Sequence, residues 1–195
     1  MLEEKREKFK KISEKMGEAF AKLGLSPNQY TLFSLFFVLI SFYFLTSKNL
    51  VLALIFFVIA SVLDFIDGAV AKFLKRETKK GAYLDTISDR YVEGIILLGF
   101  LFLPLADFLL PAKIWIFLAF FGSLMTTYSK AAAKEKELTQ AELKKGLLGR
   151  AERIILIILA IFLGIFNLSW MFYPIIFLAV FSNLTALQRI YLSLK

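Results

Sequence analysis

Four aspartates lie close together in the sequence, with one pair before a lysine-rich segment and one pair after it. Asp64 and Asp67 precede this segment, and Asp85 and Asp89 follow it. Long apolar runs flank both pairs, and a charged residue at the centre of a membrane helix costs about 2.5–3.5 kcal/mol on insertion scales. Like charges also repel, and divalent cations relieve both penalties. The aspartates therefore indicate a site for one or two divalent cations, and a pair of such cations can clamp both sides of a phosphoryl displacement.

Two missing residue types narrow the chemistry further. The chain has no Cys and no His. The absence of His removes both the usual general base and the commonest soft-metal ligand. Acid–base work must then fall to Asp, Glu, Lys, Tyr or water. Oxygen ligands favour hard cations such as Mg²⁺, Mn²⁺ or Ca²⁺.

The spacing of the aspartates places them on helix faces. At about 3.6 residues per turn, Asp64, Asp67 and Gly68 share one face of an apolar helix. Asp85 and Asp89 share a face at the start of the next helix. The connection is short, so we expect the two helices to be antiparallel neighbours whose polar faces meet near the cytoplasmic membrane boundary. The alternative is that nearby cations pair with the aspartates as plain ion pairs; these cations are Lys72, Lys79, Lys80 and Arg90.

The rest of the chain supplies the helices that carry these residues. Hydrophobic residues make up 58% of the 195 residues, and 22 of them are Phe. A membrane-spanning helix needs about 20 apolar residues. The predicted fold class is an all-α integral membrane protein with six transmembrane helices, at residues 28–47, 49–71, 83–104, 111–133, 149–166 and 171–193.

Basic residues predict the orientation of these spans. Segments 1–22, 72–80 and 130–153 are rich in Lys and Arg, whereas the segments that alternate with them are nearly free of both. By the positive-inside rule, the basic segments and both termini are cytoplasmic, which predicts a multi-pass protein of the cell membrane. The net charge of +8 then faces anionic lipid, and we expect no nucleic-acid partner.

The N-terminal segment differs in pattern from the rest. Phe9, Ile12, Met16, Phe20 and Leu23 recur at helical spacing among charged residues. This pattern predicts an amphipathic juxtamembrane helix on the cytoplasmic face, the alternative being a solvated helix. We expect residues 1–23 to form this helix and residues 24–195 to form the membrane domain.

The aspartates belong to a longer motif. Asp64-x2-Asp67-Gly68-x2-Ala71-Lys72-x8-Gly81-x3-Asp85-x3-Asp89 resembles the signature of the CDP-alcohol phosphotransferases, integral membrane enzymes that make phospholipids. Every spacer length agrees. Lys72 stands where that family usually has Arg, so the charge is kept but the bidentate fork for phosphate is lost.

The resemblance implies a mechanism. A CDP-lipid, either CDP-diacylglycerol or CDP-archaeol, would bind with its pyrophosphate on two Mg²⁺ or Mn²⁺ ions. Asp64, Asp67 and Asp85 would be the main metal ligands, with Asp89 also near the metals. A hydroxyl of a second substrate would attack the lipid-linked phosphorus, and CMP would leave. Asp89 is the predicted base that accepts the hydroxyl proton.

The same resemblance implies a binding site for the nucleotide. Gly68 would let the cytidine nucleotide approach the backbone, and Lys72 would neutralise its phosphate. "PNQYT" is similar to a Pro-Asn-x-x-Thr segment of the family, so Asn28 and Thr31 are expected to hold the nucleotide, although Pro-Asn is equally a helix start. Thr78 is a further candidate.

The second substrate is predicted from four cations. "TYSKAAAKEKE", "GLLGRAERI" and "NLTALQRIYL" resemble segments of the branch whose acceptor is inositol phosphate. Lys130, Arg150, Arg153 and Arg189 would gather at one cytoplasmic pocket, because a phosphate dianion requires several cationic donors. Each could instead be an ordinary inner-face anchor, and Ala132 stands where that branch often has Arg. Phosphatidylglycerophosphate synthase is the alternative, since its acceptor is also phosphorylated.

Two interpretations from other classes compete with an enzyme. A cation transporter could use the four carboxylates, but it would place them near mid-membrane on broken helices. A non-catalytic membrane scaffold would not need the spacer lengths of the motif. The resemblance also implies a homodimer.

Overall fold

The computed structural model describes residues 2–138 and 146–195, with backbone alone for residues 2–10. Within these ranges the chain is helical and has no β-sheet. A 3-10 helix at Leu168–Met171 precedes the last helix. The α-helices are α1 (Leu2–Ala21), α2 (Pro27–Thr46), α3 (Leu50–Phe73), α4 (Lys79–Phe100), α5 (Ala112–Glu135), α6 (Arg150–Phe166) and α7 (Phe172–Ser193).

Local sequence signals explain where the helices begin. Pro27 occupies the first position of α2, where its missing N–H is not needed. The side-chain oxygen of Gln29 accepts a hydrogen bond from the Ser26 backbone N–H at 2.7 Å and another from the Ser26 hydroxyl at 3.0 Å. Gln29 thus supplies the return half of a capping box. Thr78 caps α4, because its hydroxyl oxygen accepts from the Gly81 N–H at 3.0 Å.

Each predicted span coincides with one of the helices α2 to α7, with shifted ends. The largest shift is in the third span, which was expected at 83–104 and is observed at Lys79–Phe100. The Thr78 cap explains the early start. Pro104 explains the early end, because a proline disfavours helical backbone in the residue before it.

Three helical stretches in the described ranges are long and apolar enough to cross a membrane. They are Pro27–Thr46, Leu50–Phe73 and Leu168–Ser193. The predicted all-α multi-pass membrane protein is therefore confirmed in its class. The count of six spans stays a prediction, because α4, α5 and α6 are not among these stretches. The helix α4 carries several charged side chains, and α6 has only 17 residues.

The chain divides into two compact units. In the first, Met1–Ser41 with Ile55–Val92, α1 packs closely on α3. A Cβ on Gly17 would lie 2.6 Å from the Ala69 carbonyl oxygen, so this crossing has room only for glycine. The Tyr30 hydroxyl donates to the Phe20 carbonyl at 2.8 Å, and the two rings meet edge to face. These contacts tie α1 to both α2 and α3.

The apolar residues of α1 divide between two environments. Met16 and Phe20 pack against the core of the first unit. Ile12 remains exposed, and so does Leu23, which lies in the turn after α1 because the helix ends at Ala21 and not at residue 23 as predicted. Contact of α1 with a lipid surface stays a prediction. The side chain of Phe9 lies outside the described residues.

The second unit comprises Phe42–Leu54 and Glu93–Lys195. Here α5 packs along α7. A Cβ on Gly122 would lie 2.6 Å from the Asn183 side-chain nitrogen. That nitrogen donates to the Leu118 and Ala179 carbonyls, each at 2.8 Å. Glycine therefore allows a polar side chain to bridge two helix backbones at close range.

Candidate active site

Three of the four predicted aspartates form one cluster in the first unit. Asp64 and Asp67 come from α3 and Asp85 comes from α4, and each offers a carboxylate oxygen within 4.8 Å of the others. Asp64 and Asp67 are buried, and Asp85 is half-buried. The predicted meeting of the two helix faces is therefore observed for these residues.

The donor set of this cluster suits a hard divalent cation. Three carboxylates supply only oxygen ligands, the kind that Mg²⁺ and Mn²⁺ prefer. Close, buried like charges repel unless a cation compensates them. The Thr31 hydroxyl donates to Asp67 Oδ2 at 2.6 Å. This bond orients one carboxylate of the cluster, as outer hydrogen bonds commonly do at metal sites.

Asp89 is buried on α4, one helical turn beyond Asp85. Its Oδ2 lies 3.8 Å from Arg90 Nη2, a long approach between sequence neighbours. Asp89 does not belong to the cluster of three carboxylates that the described residues form. Its direct contact with a metal stays a prediction, as does its role as a base.

A cavity of about 340 Å³ adjoins the cluster within the same unit. Asp67 and Asp85 contribute to its wall. All five residues that were predicted to bind the nucleotide also line it: Asn28, Thr31, Gly68, Lys72 and Thr78.

The two motif glycines differ in their surroundings. A Cβ on Gly68 would meet no atom within 4 Å, so the side of α3 at this residue is open space. A Cβ on Gly81 would lie 3.1 Å from Thr78 Oγ1 and 3.6 Å from Asn28 Oδ1. Gly68 thus leaves room for a ligand, whereas Gly81 allows close packing between α4 and polar groups of the cavity.

Two further residues of the cavity wall were not predicted from the sequence. Ser26 and Arg76 line the cavity as well. Arg76 lies in the basic segment between the two halves of the motif, and its position there was an unused signal for a phosphate contact. Ser26 lies at the cavity because it directly precedes α2, where it is hydrogen-bonded to Gln29.

Two of the predicted acceptor residues meet in the second unit. Arg153 Nη1 donates to Thr126 Oγ1 at 3.2 Å, and Arg189 Nη1 donates to the Thr126 carbonyl at 2.5 Å. Arg150 is the first residue of α6, and Lys130 lies on α5; both are half-buried. Arg153 is buried and also pairs with Glu93, its Nη2 lying 3.0 Å from Glu93 Oε1. This partner was not predicted from the sequence. The binding of an acceptor phosphate by these four cations stays a prediction.

Comparison with known proteins agrees with this geometry. The family model of the CDP-alcohol phosphatidyltransferases matches residues 24–185. An archaetidylinositol phosphate synthase from Pyrococcus horikoshii is 33% identical over 192 residues, which cover 98% of this chain and 95% of that relative. The chain belongs to the CDP-alcohol phosphatidyltransferase family.

Solved structures support the same fold. A phosphatidylinositol phosphate synthase from Mycobacterium tuberculosis, crystallised with CDP-DAG bound, superimposes with a TM-score of 0.78 at 23% identity, covering 94% of each chain. Crystals of that synthase with manganese and citrate give a TM-score of 0.79 at 23% identity, covering 94% of this chain and 89% of the other. At this identity the likeness establishes the fold.

The chain is therefore a membrane-embedded transferase of phospholipid biosynthesis, as the motif predicted. Enzymes of this class use Mg²⁺ or Mn²⁺, and the aspartate cluster offers the oxygen ligands that these ions require. The transporter and scaffold alternatives are set aside.

Proposed function

We propose that this enzyme transfers a phosphatidyl-type group from a CDP-lipid to a hydroxyl of inositol phosphate and releases CMP. One observation carries the proposal: Asp64, Asp67 and Asp85 form a carboxylate cluster beside a cavity whose wall includes Gly68 and Lys72. The names of the archaetidylinositol and phosphatidylinositol phosphate synthases to which the chain is similar support the choice of acceptor.

Asp64, Asp67 and Asp85 would hold two Mg²⁺ or Mn²⁺ ions, with Asp89 as a further ligand. Bound there, the ions would neutralise the pyrophosphate and stabilise the charge on the leaving phosphate. The protein's own contribution is to hold the carboxylates in place. Thr31 does this for Asp67 through its hydrogen bond of 2.6 Å.

The cavity beside the cluster would bind the CDP part of the lipid. Gly68 leaves open space along α3, and Lys72 and Arg76 supply positive charge at the wall. Asn28 and Thr78 offer polar groups at the starts of α2 and α4. Arg76 would compensate for the bidentate arginine that Lys72 replaces.

The reaction would be a single displacement at the lipid-linked phosphorus. The oxygen of an inositol hydroxyl would form the new P–O bond, and the bond to the bridging oxygen of the pyrophosphate would break. CMP would leave with that oxygen and its electron pair. Asp89 would accept the hydroxyl proton, because a buried carboxylate is the plausible base in a chain that has no His.

Lys130, Arg150, Arg153 and Arg189 would bind the phosphate of the acceptor. Arginine suits this role because its planar fork matches phosphate oxygens. A neutral acceptor such as free inositol would not require four cations.

The proposed setting is the cell membrane, with six spans, both termini and the active site on the cytoplasmic side, and a homodimer as the assembly. The alternation of basic and apolar segments supports the topology. The exposed aromatic side chains of α5 are a candidate dimer surface; they include Phe117, Phe120 and Phe121.

An acceptor panel tests the proposal. Purified enzyme with Mn²⁺ and CDP-diacylglycerol or CDP-archaeol is offered inositol phosphate, glycerol phosphate, serine or free inositol, and CMP release is measured. We expect release with inositol phosphate to exceed release with each other acceptor by at least about tenfold. Preference for glycerol phosphate would identify a phosphatidylglycerophosphate synthase instead.

A further inference from the structure

Glu93 is a carboxylate in an otherwise apolar part of α4. It stands in the run "YVEGIILLGF" and is only 2% exposed. A buried acidic residue in a membrane protein is expensive, so such residues usually pair and serve a function. Glu93 is not part of the motif, and the mechanism described above does not use it.

The partner of Glu93 is Arg153 on α6, which is also 2% exposed. Arg153 Nε donates to Glu93 Oε2 at 3.1 Å and to Oε1 at 3.3 Å, and Nη2 donates to Oε1 at 3.0 Å. This two-pronged geometry is the strongest that a carboxylate and a guanidinium can form. The pair fixes the plane of the guanidinium as well as its position.

Thr126 on α5 continues the network. It is fully buried, its hydroxyl oxygen accepts from Arg153 Nη1 at 3.2 Å, and its carbonyl accepts from Arg189 Nη1 at 2.5 Å. One residue therefore contacts two of the four cations that were predicted to bind the acceptor phosphate. The network joins α4, α5, α6 and α7; Glu93, Thr126 and Arg153 are buried, and Arg189 is half-buried.

We propose that Glu93 and Thr126 are positioning residues for the acceptor phosphate. Glu93 and the Thr126 hydroxyl hold the buried Arg153 in one orientation, and the Thr126 carbonyl holds the half-buried Arg189. Arg189 thereby presents its N–H donors to the acceptor phosphate in a preformed orientation. Preformed donors bind an anion more tightly than flexible ones because less side-chain freedom is lost on binding. This inference rests on the proposed function and adds two residues to its acceptor site.

A network that only stabilised the fold would behave differently. Its loss would reduce the amount of folded enzyme without changing the KM of the enzyme that remains folded. A positioning role predicts a selective change instead: a higher KM for inositol phosphate, with the KM for the CDP-lipid nearly unchanged.

Four single variants test the proposal by steady-state CMP release, each checked for folding by its melting temperature in detergent. Thr126→Val removes the hydroxyl and keeps the shape, and Thr126→Ser keeps the hydroxyl as its matched control. Glu93→Gln removes the charge, and Glu93→Asp keeps it on a shorter side chain. We expect Thr126→Val and Glu93→Gln to raise the KM for inositol phosphate by about tenfold or more, because each leaves an arginine N–H without its acceptor. Thr126→Ser and Glu93→Asp should recover at least part of this loss.

The outcomes distinguish a failure of the positioning role from a failure of the proposed function. If the wild type releases CMP with inositol phosphate and folded Thr126→Val retains its KM for that acceptor, the positioning role is wrong and the proposed function stands. If the wild type releases no CMP with inositol phosphate, both are overturned. Should Glu93→Gln fail to fold, Thr126→Val decides alone, since it leaves the buried ion pair in place.

Discussion

The Thr31 hydroxyl lies 2.6 Å from Asp67 Oδ2 and donates a hydrogen bond to it. Both residues are buried, so this bond is shielded from competition by water. Thr31 belongs to the start of α2 and Asp67 to α3. The residue that was predicted to touch the nucleotide thus also orients a predicted metal ligand.

Replacing Thr31 should weaken metal binding. Thr31→Val keeps the shape and removes the donor, and loss of such an outer hydrogen bond typically costs about 10–100-fold in metal affinity. We expect the Mn²⁺ concentration for half-maximal CMP release to rise by a factor in that range. Thr31→Ser, which retains a hydroxyl, should stay close to the wild type. An unchanged Mn²⁺ dependence in Thr31→Val would contradict a role for this bond.

Asp85→Asn and Asp89→Asn should have separable effects. Asp85 belongs to the carboxylate cluster, so Asp85→Asn should weaken Mn²⁺ binding, measured by titration without substrate. Asp89→Asn should lower kcat by about 10²–10⁴-fold, the usual worth of a general base, and disturb Mn²⁺ binding less. Equal losses of Mn²⁺ affinity in both variants would show that Asp89 acts mainly as a ligand.

Gly68→Ala should weaken binding of the CDP-lipid without lowering the stability of the protein. A Cβ at this position would meet no atom within 4 Å, and alanine is better than glycine inside a helix by about 0.5–1 kcal/mol. The melting temperature should therefore hold or rise, while the KM for the CDP-lipid should increase as the methyl group enters the cavity. A fall in melting temperature with an unchanged KM would refute the assignment of this face to the nucleotide.

Gly17→Leu should separate α1 from α3. The new side chain would begin 2.6 Å from the Ala69 carbonyl oxygen and 2.9 Å from Phe73 Cβ. Such overpacking costs about 1–3 kcal/mol, visible as a lower melting temperature in detergent. Glu18→Leu, at an exposed position of the same helix, is the matched control and should melt like the wild type. Similar melting of the two variants would mean that the crossing is not tight.

The carboxylate cluster could be predicted from the sequence because its determinants are local. Asp64 and Asp67 share a face of α3 by helical periodicity, and the short connection brings α4 back beside them. These constraints place Asp85 close to Asp64 and Asp67. The cavity followed for the same reason, since its wall comes from helix ends near the motif.

The pairing of Glu93 with Arg153 could not be predicted in the same way. The two residues are 60 positions apart in the sequence, and their meeting depends on how α4 packs against α6. Helical periodicity says which face a residue occupies but not which helix lies opposite. A signal was nevertheless present, because a single acidic residue in the apolar part of a predicted span requires a partner.

The helix ends and the contacts of α1 also could not be predicted from the hydrophobic pattern of the sequence. The apolar stripe of α1 predicts burial of one face, and it does not distinguish a lipid surface from a protein surface. Gly17 shows that part of this face packs against protein, because its missing side chain allows backbone contact with α3. The helix α4, the predicted third span, ends at Phe100 because of Pro104. A hydrophobicity pattern alone does not show that proline interrupts a helix.

Tyr30 and Thr31 are neighbours in α2, and they reach in two directions: Tyr30 to the Phe20 carbonyl of α1, Thr31 to Asp67. A single helical turn thus connects α1 to a carboxylate of the cluster. We therefore expect a force that displaces α1 to be transmitted to Asp67 through this turn.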